Sequence, residues 1–125
     1  MPENYGQASV RHYIDAEALA SSQRFDGAGH LIGFSAECAI KHHIQTILPG
    51  QDAPHSHFPN LIDIAKRHLH QRRQTNMHQI LKKQDLMLGW DIAQRYSPDG
   101  STTAEIYEIW RSQASHMIFA AGLRR

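Results

Sequence analysis

The chain has 125 residues, with 13 Lys and Arg against 12 Asp and Glu, a formal charge of +1, 41% hydrophobic and 20% charged residues. That length suits one domain, 1-125, with a core of its own, and the near-neutral charge excludes a large field for steering nucleic acid while leaving an RNA substrate open. A single cysteine, Cys38, excludes an intramolecular disulfide, and no apolar run approaches the roughly 18 residues of a membrane-spanning helix.

In chain order, Ser9 reads as the N-cap of a first helix reaching about Gln23, with Val10, Tyr13, Ile14, Ala18 and Leu19 as its apolar side. After the turn Arg24-Phe25-Asp26-Gly27, Asp26 reads as the cap of a second helix running to about Leu48, where Pro49-Gly50 stops it. Its small and apolar positions, among them Ala28, Leu31, Ile32, Ser35, Ala36, Ala39, Ile40 and Ile44, follow amphipathic spacing. Gly29, Gly33, Glu37 and Lys41 are four apart and share one stripe. Each interior glycine costs roughly 1 kcal/mol against alanine, so something offsets it. Either another helix approaches the backbone closely, or the glycines floor a groove in which a partner or ligand meets Glu37. Cys38 reads as a small buried hydrophobe, consistent with a reducing compartment.

Asn60 reads as the cap of a third helix with Leu61, Ile62, Ile64, Ala65 and Leu69 apolar, its end blurred by the polar tract from His68 to Asn76. A fourth helical segment is expected from about Met77 to Ala93, carrying Met77, Ile80, Leu81, Leu88 and Ile92, with Gly89 as a candidate break. Beyond the turn Ser97-Pro98-Asp99-Gly100, the capping box Thr102-x-x-Glu105 opens a last helix with Ile106, Tyr107, Trp110, Ala114, Met117, Ile118 and Ala121 on one face. Strand alternation and hairpin signals are absent from the sequence. The expected fold is an all-α, up-and-down bundle of four to five helices.

The segment Asp26-Gly27-Ala28-Gly29-His30-Leu31-Ile32-Gly33-Phe34-Ser35-Ala36-Glu37-Cys38-Ala39-Ile40-Lys41, preceded by a helix ending in Ser21-Ser22-Gln23-Arg24, resembles the second helix of HEPN (higher eukaryotes and prokaryotes nucleotide-binding) domains. The run Trp90-Asp91-Ile92-Ala93-Gln94-Arg95-Tyr96-Ser97-Pro98, followed by a helix with a central Trp110, is similar to that family's C-terminal half. The resemblance implies a helical bundle that often homodimerises and is frequently encoded beside a minimal nucleotidyltransferase partner. It also implies, for some members, metal-independent ribonuclease activity in toxins or host defence. In those members an Arg is followed four to six residues later by a His, just ahead of the last long helix. The Arg stabilises phosphate charge and the His moves a proton.

Where the resemblance would put that pair, Arg95 is followed by Tyr96-Ser97-Pro98-Asp99-Gly100-Ser101-Thr102 with no His. Pairs with the spacing exist elsewhere, namely Arg24 with His30, Arg72 or Arg73 with His78, and Arg111 with His116, but about one or two are expected by chance. Arg111 and His116 lie about 140° apart on one helix, which leaves them as surface residues. Arg73 and His78, at a helix boundary, are the best remaining catalytic pair. Tyr96 beside Arg95 is the aromatic most suited to an exposed pocket, while Tyr107 and Trp110 belong to the core stripe.

Other constellations are weaker. His42-His43, His55-x-His57 and His68-x-His70 lack an accompanying cysteine or carboxylate cluster, so no metal and no cofactor is expected. Lys66-Arg67, Arg72-Arg73 and Lys82-Lys83 form a basic zone that suits either solvent or phosphate. Ten histidines raise the charge below about pH 6.5. The polar start Met1-Pro2-Glu3-Asn4 lacks a signal-peptide pattern, giving the expectation of a cytoplasmic protein without membrane contact.

The leading expectation is therefore a catalytically degenerate HEPN-type domain. It would homodimerise and bind a nucleotide, RNA or partner protein, with Glu37, Lys41, Arg95 and Tyr96 around the groove. The alternative is an active metal-independent ribonuclease toxin, paired with a nucleotidyltransferase antitoxin and using Arg73 and His78. A third reading is a dimerisation module with no ligand.

Overall fold

The computed structural model describes residues 3–50, 52–70 and 75–125. Its α-helices are α1 (Tyr5–Ser21), α2 (Phe25–Ile47), α3 (Asn60–His68), α4 (Asn76–Leu81) and α5 (Ala104–Ala120), with a 3-10 helix at Ile92–Tyr96. No strand occurs among the described residues, so the fold is an all-α bundle. None of these helices is long and apolar enough to cross a membrane.

α2 is the central element, packed chiefly on α1 and α5 and touching α3 and the 3-10 helix. Ala28, Ile32, Ala36, Ala39, Ile40 and Ile44 along it are fully buried. Small residues let α1 come close. Ser9 and Ser35 lock that approach, each hydroxyl donating to the other residue's backbone carbonyl at 2.7 Å. Ser9 is thus a buried interior residue of α1. The N-cap is Asn4, whose side chain accepts from the Gln7 N–H. α1 consequently buries Gly6, Ser9, Tyr13 and Ala16, and leaves Ile14 54% exposed.

The glycine stripe receives an indole. A Cβ built on Gly33 would overlap Cε2 and Nε1 of Trp90 and lie 2.5 Å from its Cζ2. Trp90 Nε1–H donates to the Gly29 carbonyl at 2.9 Å, which fixes the ring along the helix. A Cβ on Gly29 would meet the Thr102 methyl at 2.8 Å and Trp110 Cζ3 at 3.1 Å. Close approach is therefore what offsets the glycines. At Gly33 the approaching body is a side chain from an irregular segment, and at Gly29 it is Thr102 together with Trp110 of α5.

That segment departs from the expected fourth helix. α4 ends at Leu81, and turns follow through to Trp90, with Met87 (φ 51°) and Gly89 (φ 85°) in the left-handed region. α5 holds these turns: the Met87 N–H donates to Gln113 Oε1 at 2.7 Å, and Trp110 Nε1–H donates to the Leu88 carbonyl at 3.1 Å. The turns bury Leu86, Met87 and Trp90 and expose Leu88. A continuous helix would fix these side chains at different angles.

Asp26 and Thr102 also differ from their expected capping roles. Asp26 sits in the first turn of α2, behind an Arg24 cap that makes no side-chain bond, and its carboxylate accepts the Gly100 and Thr102 N–H groups at 2.8 and 2.9 Å. Those bonds hold its carboxyl below the usual range and tie the turn before α5 to the start of α2. Thr103 caps α5 by accepting from the Ile106 N–H, and Thr102 is buried against Gly29. Tyr107, Trp110, Ala114, Met117, Ile118 and Ala121 are buried as their spacing requires, while Ile106 is exposed. Asn60 begins α3 as its first residue, and its cap, Pro59, makes no side-chain bond.

Alanine at Gly33 is expected to destabilise the protein by about 2–4 kcal/mol, because the indole is pinned and cannot yield. At exposed Gly27 the nearest neighbour of an added Cβ is the flexible end of Leu19 at 3.3 Å. Alanine there should be neutral or stabilising by up to about 1 kcal/mol, as helix propensity dictates. Urea unfolding of the two variants measures this difference in sign.

Candidate functional site

His30, Phe34, Glu37 and Lys41 follow one another at i, i+4, i+7 and i+11 along α2, the first two beside the glycine line and the last two on it. Trp90 is the hub against which this row is organised. Its indole stacks on His30 (centroids 5.9 Å, 17° between planes) and meets Phe34 and Phe58 edge-on at 5.6 and 6.0 Å. Phe34 in turn contacts His30 at 4.6 Å, His57 at 6.1 Å and His12 at 6.0 Å. Three imidazoles thus surround one half-buried phenyl ring.

Within this row Glu37 is buried, at 1% exposure. One carboxylate oxygen takes the His57 ring at Nδ1 (2.8 Å) and the other accepts the Phe58 N–H (2.7 Å). A buried carboxylate requires such partners, and charge-assisted bonds of this kind contribute about 1.5–3 kcal/mol each. Burial raises the Glu37 carboxyl above its ordinary range, against the opposing pull of His57, the Phe58 amide and Lys41. With the carboxylate ionised, Nδ1 of His57 is the donor in this bond. The His57 side chain is 37% exposed while that of Glu37 is 2% exposed, so the carboxylate orients an imidazole that solvent can reach.

The four expected groove residues separate into two places. Glu37 and Lys41 are interior, and Lys41 is 6% exposed with Nζ 5.5 Å from the centre of the Tyr5 ring. Glu37 is bonded to His57 and to the Phe58 amide, and Lys41 lies against Tyr5. Arg95 and Tyr96 are exposed on the 3-10 helix, where the guanidinium stacks on the Tyr96 ring at 5.2 Å and Tyr96 is 80% exposed. They lie at the His30 end of the row. Desolvation, together with the Arg95 charge, lowers the His30 pKa.

Of the expected catalytic pair, Arg73 lies outside the described residues. His78 is buried, at the N-terminal end of α4, where its backbone N–H donates to Thr75 Oγ1. With Lys66, Arg67, His70 and Lys82 it lines a depression of about 390 Å³ that has no Asp or Glu among the described residues lining it. Of the basic zone read from the sequence, Lys66, Arg67 and Lys82 border this depression and Lys83 borders another, while Arg72 and Arg73 lie outside the described residues. Arg111 is tied to Glu108 and to the Tyr13 hydroxyl, while His116 is exposed. Among the described residues, no group of three or more His, Cys, Asp or Glu is placed to hold a metal ion.

Sequence reasoning missed His30, Phe34 and His57 as neighbours. Glu37 offered the one available signal, since a glutamate on a helix face that is otherwise small or apolar must find donors from another segment. The His55-x-His57 loop supplied them. Comparison with protein-family models, with curated proteins and with solved structures returned no match.

Two outcomes follow from this geometry. Glu37→Ala leaves the Phe58 amide without its acceptor, so hydrogen exchange at Phe58 should accelerate at least about tenfold, with a loss of about 2–4 kcal/mol in stability. Burial lowers the pKa of His12, His30 and His43 from the ordinary 6.5. The unfolded chain then binds more protons than the folded one, so their contribution makes stability fall as pH drops below about 6.5. The raised Glu37 carboxyl acts in the opposite sense. Comparing His30→Gln with the parent in pH-dependent melts isolates the histidine slope, which should flatten in the variant.

Proposed function

We propose that this chain is a HEPN-type helical domain, catalytically degenerate, that homodimerises and binds a nucleotide or RNA at the Arg95–Tyr96 surface. One observation carries this reading: a guanidinium stacked on a largely exposed tyrosine ring, at the end of a row of imidazoles. Tyr96 offers a face for a base and Arg95 a planar donor for phosphate. His30, whose pKa is lowered by burial and by the Arg95 charge, places an imidazole next to this surface. The family assignment rests on the residue pattern of α2 and of the Trp90–Pro98 run.

A second reading, the metal-independent ribonuclease, is favoured by the Glu37–His57 pair. An imidazole held through Nδ1 by a buried carboxylate presents Nε2 as a general base for a 2′-hydroxyl, and Arg95 is the candidate to balance phosphate charge. In that reading the base missing after Arg95 comes from the loop before α3. The version using Arg73 and His78 would instead place the chemistry at the basic depression.

Titration of fluorescein-labelled single-stranded RNA and of a labelled nucleotide tests these readings. Arg95→Ala with Tyr96→Ala should weaken binding about tenfold with melting unchanged, because both residues are exposed. The degenerate reading expects intact RNA after incubation in EDTA. Cleavage abolished by His57→Ala but retained in His78→Ala would establish the Glu37–His57 pair as the active site, and the converse pattern would establish Arg73 and His78. Absence of binding to either probe would remove the reading.

A further inference from the structure

Two apolar depressions of about 750 and 570 Å³ adjoin the Leu123–Arg124 segment that follows α5, and both are lined by it. Ile80, Ile118 and Phe119 line the first, and Val10 and Ile14 the second, with Leu123 common to both. Two of these side chains are left open by the fold: Phe119 is 79% exposed and Ile14 is 54% exposed. Large apolar side chains grouped in this way mark a docking surface more often than scattered ones do.

The rim of this track is basic. Lys83, His116, Arg124 and Arg125 border the first depression, with no Asp or Glu among the described residues that line it. Arg11, His42 and Arg124 border the second, against the single carboxylate of Asp15. Part of that charge is fixed in place: Arg125 lies over the Tyr13 ring at 4.6 Å and donates to its hydroxyl at 2.9 Å. None of these residues belongs to the Glu37–His57 pair or the Arg95–Tyr96 surface.

We propose that this track is the docking site for an acidic amphipathic helix of a partner protein. Apolar positions at i, i+3, i+4 and i+7 would lie along Phe119, Leu123 and Ile14, and carboxylates on the flanks would meet Lys83, Arg124 and Arg11. The charge argues against a second copy of this chain. A two-fold interface sets the same patch against itself and would press one basic rim onto the other.

The test uses the full chain and two labelled synthetic helical peptides of about 18 residues, long enough for roughly five turns, with the same leucine stripe and either Glu or Lys elsewhere. The Glu peptide should bind at least about tenfold more tightly than the Lys peptide, with an affinity that falls as salt rises. Phe119→Glu, which alters an exposed side chain, and the charge reversal Lys83→Glu with Arg124→Glu should each reduce that affinity about tenfold, with the melting temperature preserved. Amide shifts in the labelled protein should map to the end of α5, the start of α1 and α4. Equal binding of the two peptides, binding of neither, indifference to both variants, or shifts confined to other helices would each overturn the proposal. So would sedimentation showing a dimer of the chain alone that Phe119→Glu dissociates, since that assigns the face to a second copy.

Discussion

The Trp90 indole lying on the glycine line of α2 is the constraint on which the rest of the structure depends. A helix at the centre of a bundle normally presents side chains to its neighbours. Here two consecutive turns lack them, and an aromatic ring fills the space with its N–H on the Gly29 carbonyl. The chain accepts the helix-propensity cost of two glycines and gains a tryptophan at 2% exposure. Because Trp90 arrives from an irregular segment, the turns from Lys82 to Gly89 must take a path no continuous helix could provide. Met87 and Gly89 at positive φ, and the two hydrogen bonds to α5, supply it.

The same ring connects the core to the surface. Its edges meet Phe34 and Phe58, and the backbone of Phe58 donates to Glu37. A buried carboxylate would be costly alone. Held between an amide and an imidazole, it instead fixes the loop before α3 and sets the orientation of His57. The row of His30, Phe34 and His57 therefore rests on one packed layer. Rigid support of this sort is what a binding surface made of loops and short helices requires.

Much of the architecture was legible in the sequence. The α2 pattern, the Pro49-Gly50 stop and the buried face of α5 follow from periodicity, because long amphipathic helices carry many redundant positions. Short-range signals misled where a tertiary partner competed for the same group. Ser9 and Asp26 look like caps, but their side chains are taken by Ser35 and by the turn before α5. The Met77–Ala93 stretch has apolar residues at helical spacing, yet Gly89 and the burial of Trp90 break it. The candidate site was half legible: exposed Tyr96 beside Arg95 could be read from its place between a helix and a turn. The partnership of Glu37 with His57 spans 20 residues, so its only trace was a glutamate on an otherwise small face.

A double-mutant cycle between Gly33 and Trp90 measures the central contact most directly. Unfolding free energies would be compared for the parent, Gly33→Ala, Trp90→Ala and the double variant. If the glycine exists to admit the indole, alanine at position 33 costs several times less once the ring is gone, with a coupling of at least about 2 kcal/mol. Equal costs in the two backgrounds would contradict it, and would mean that Gly33 and Trp90 serve the fold separately.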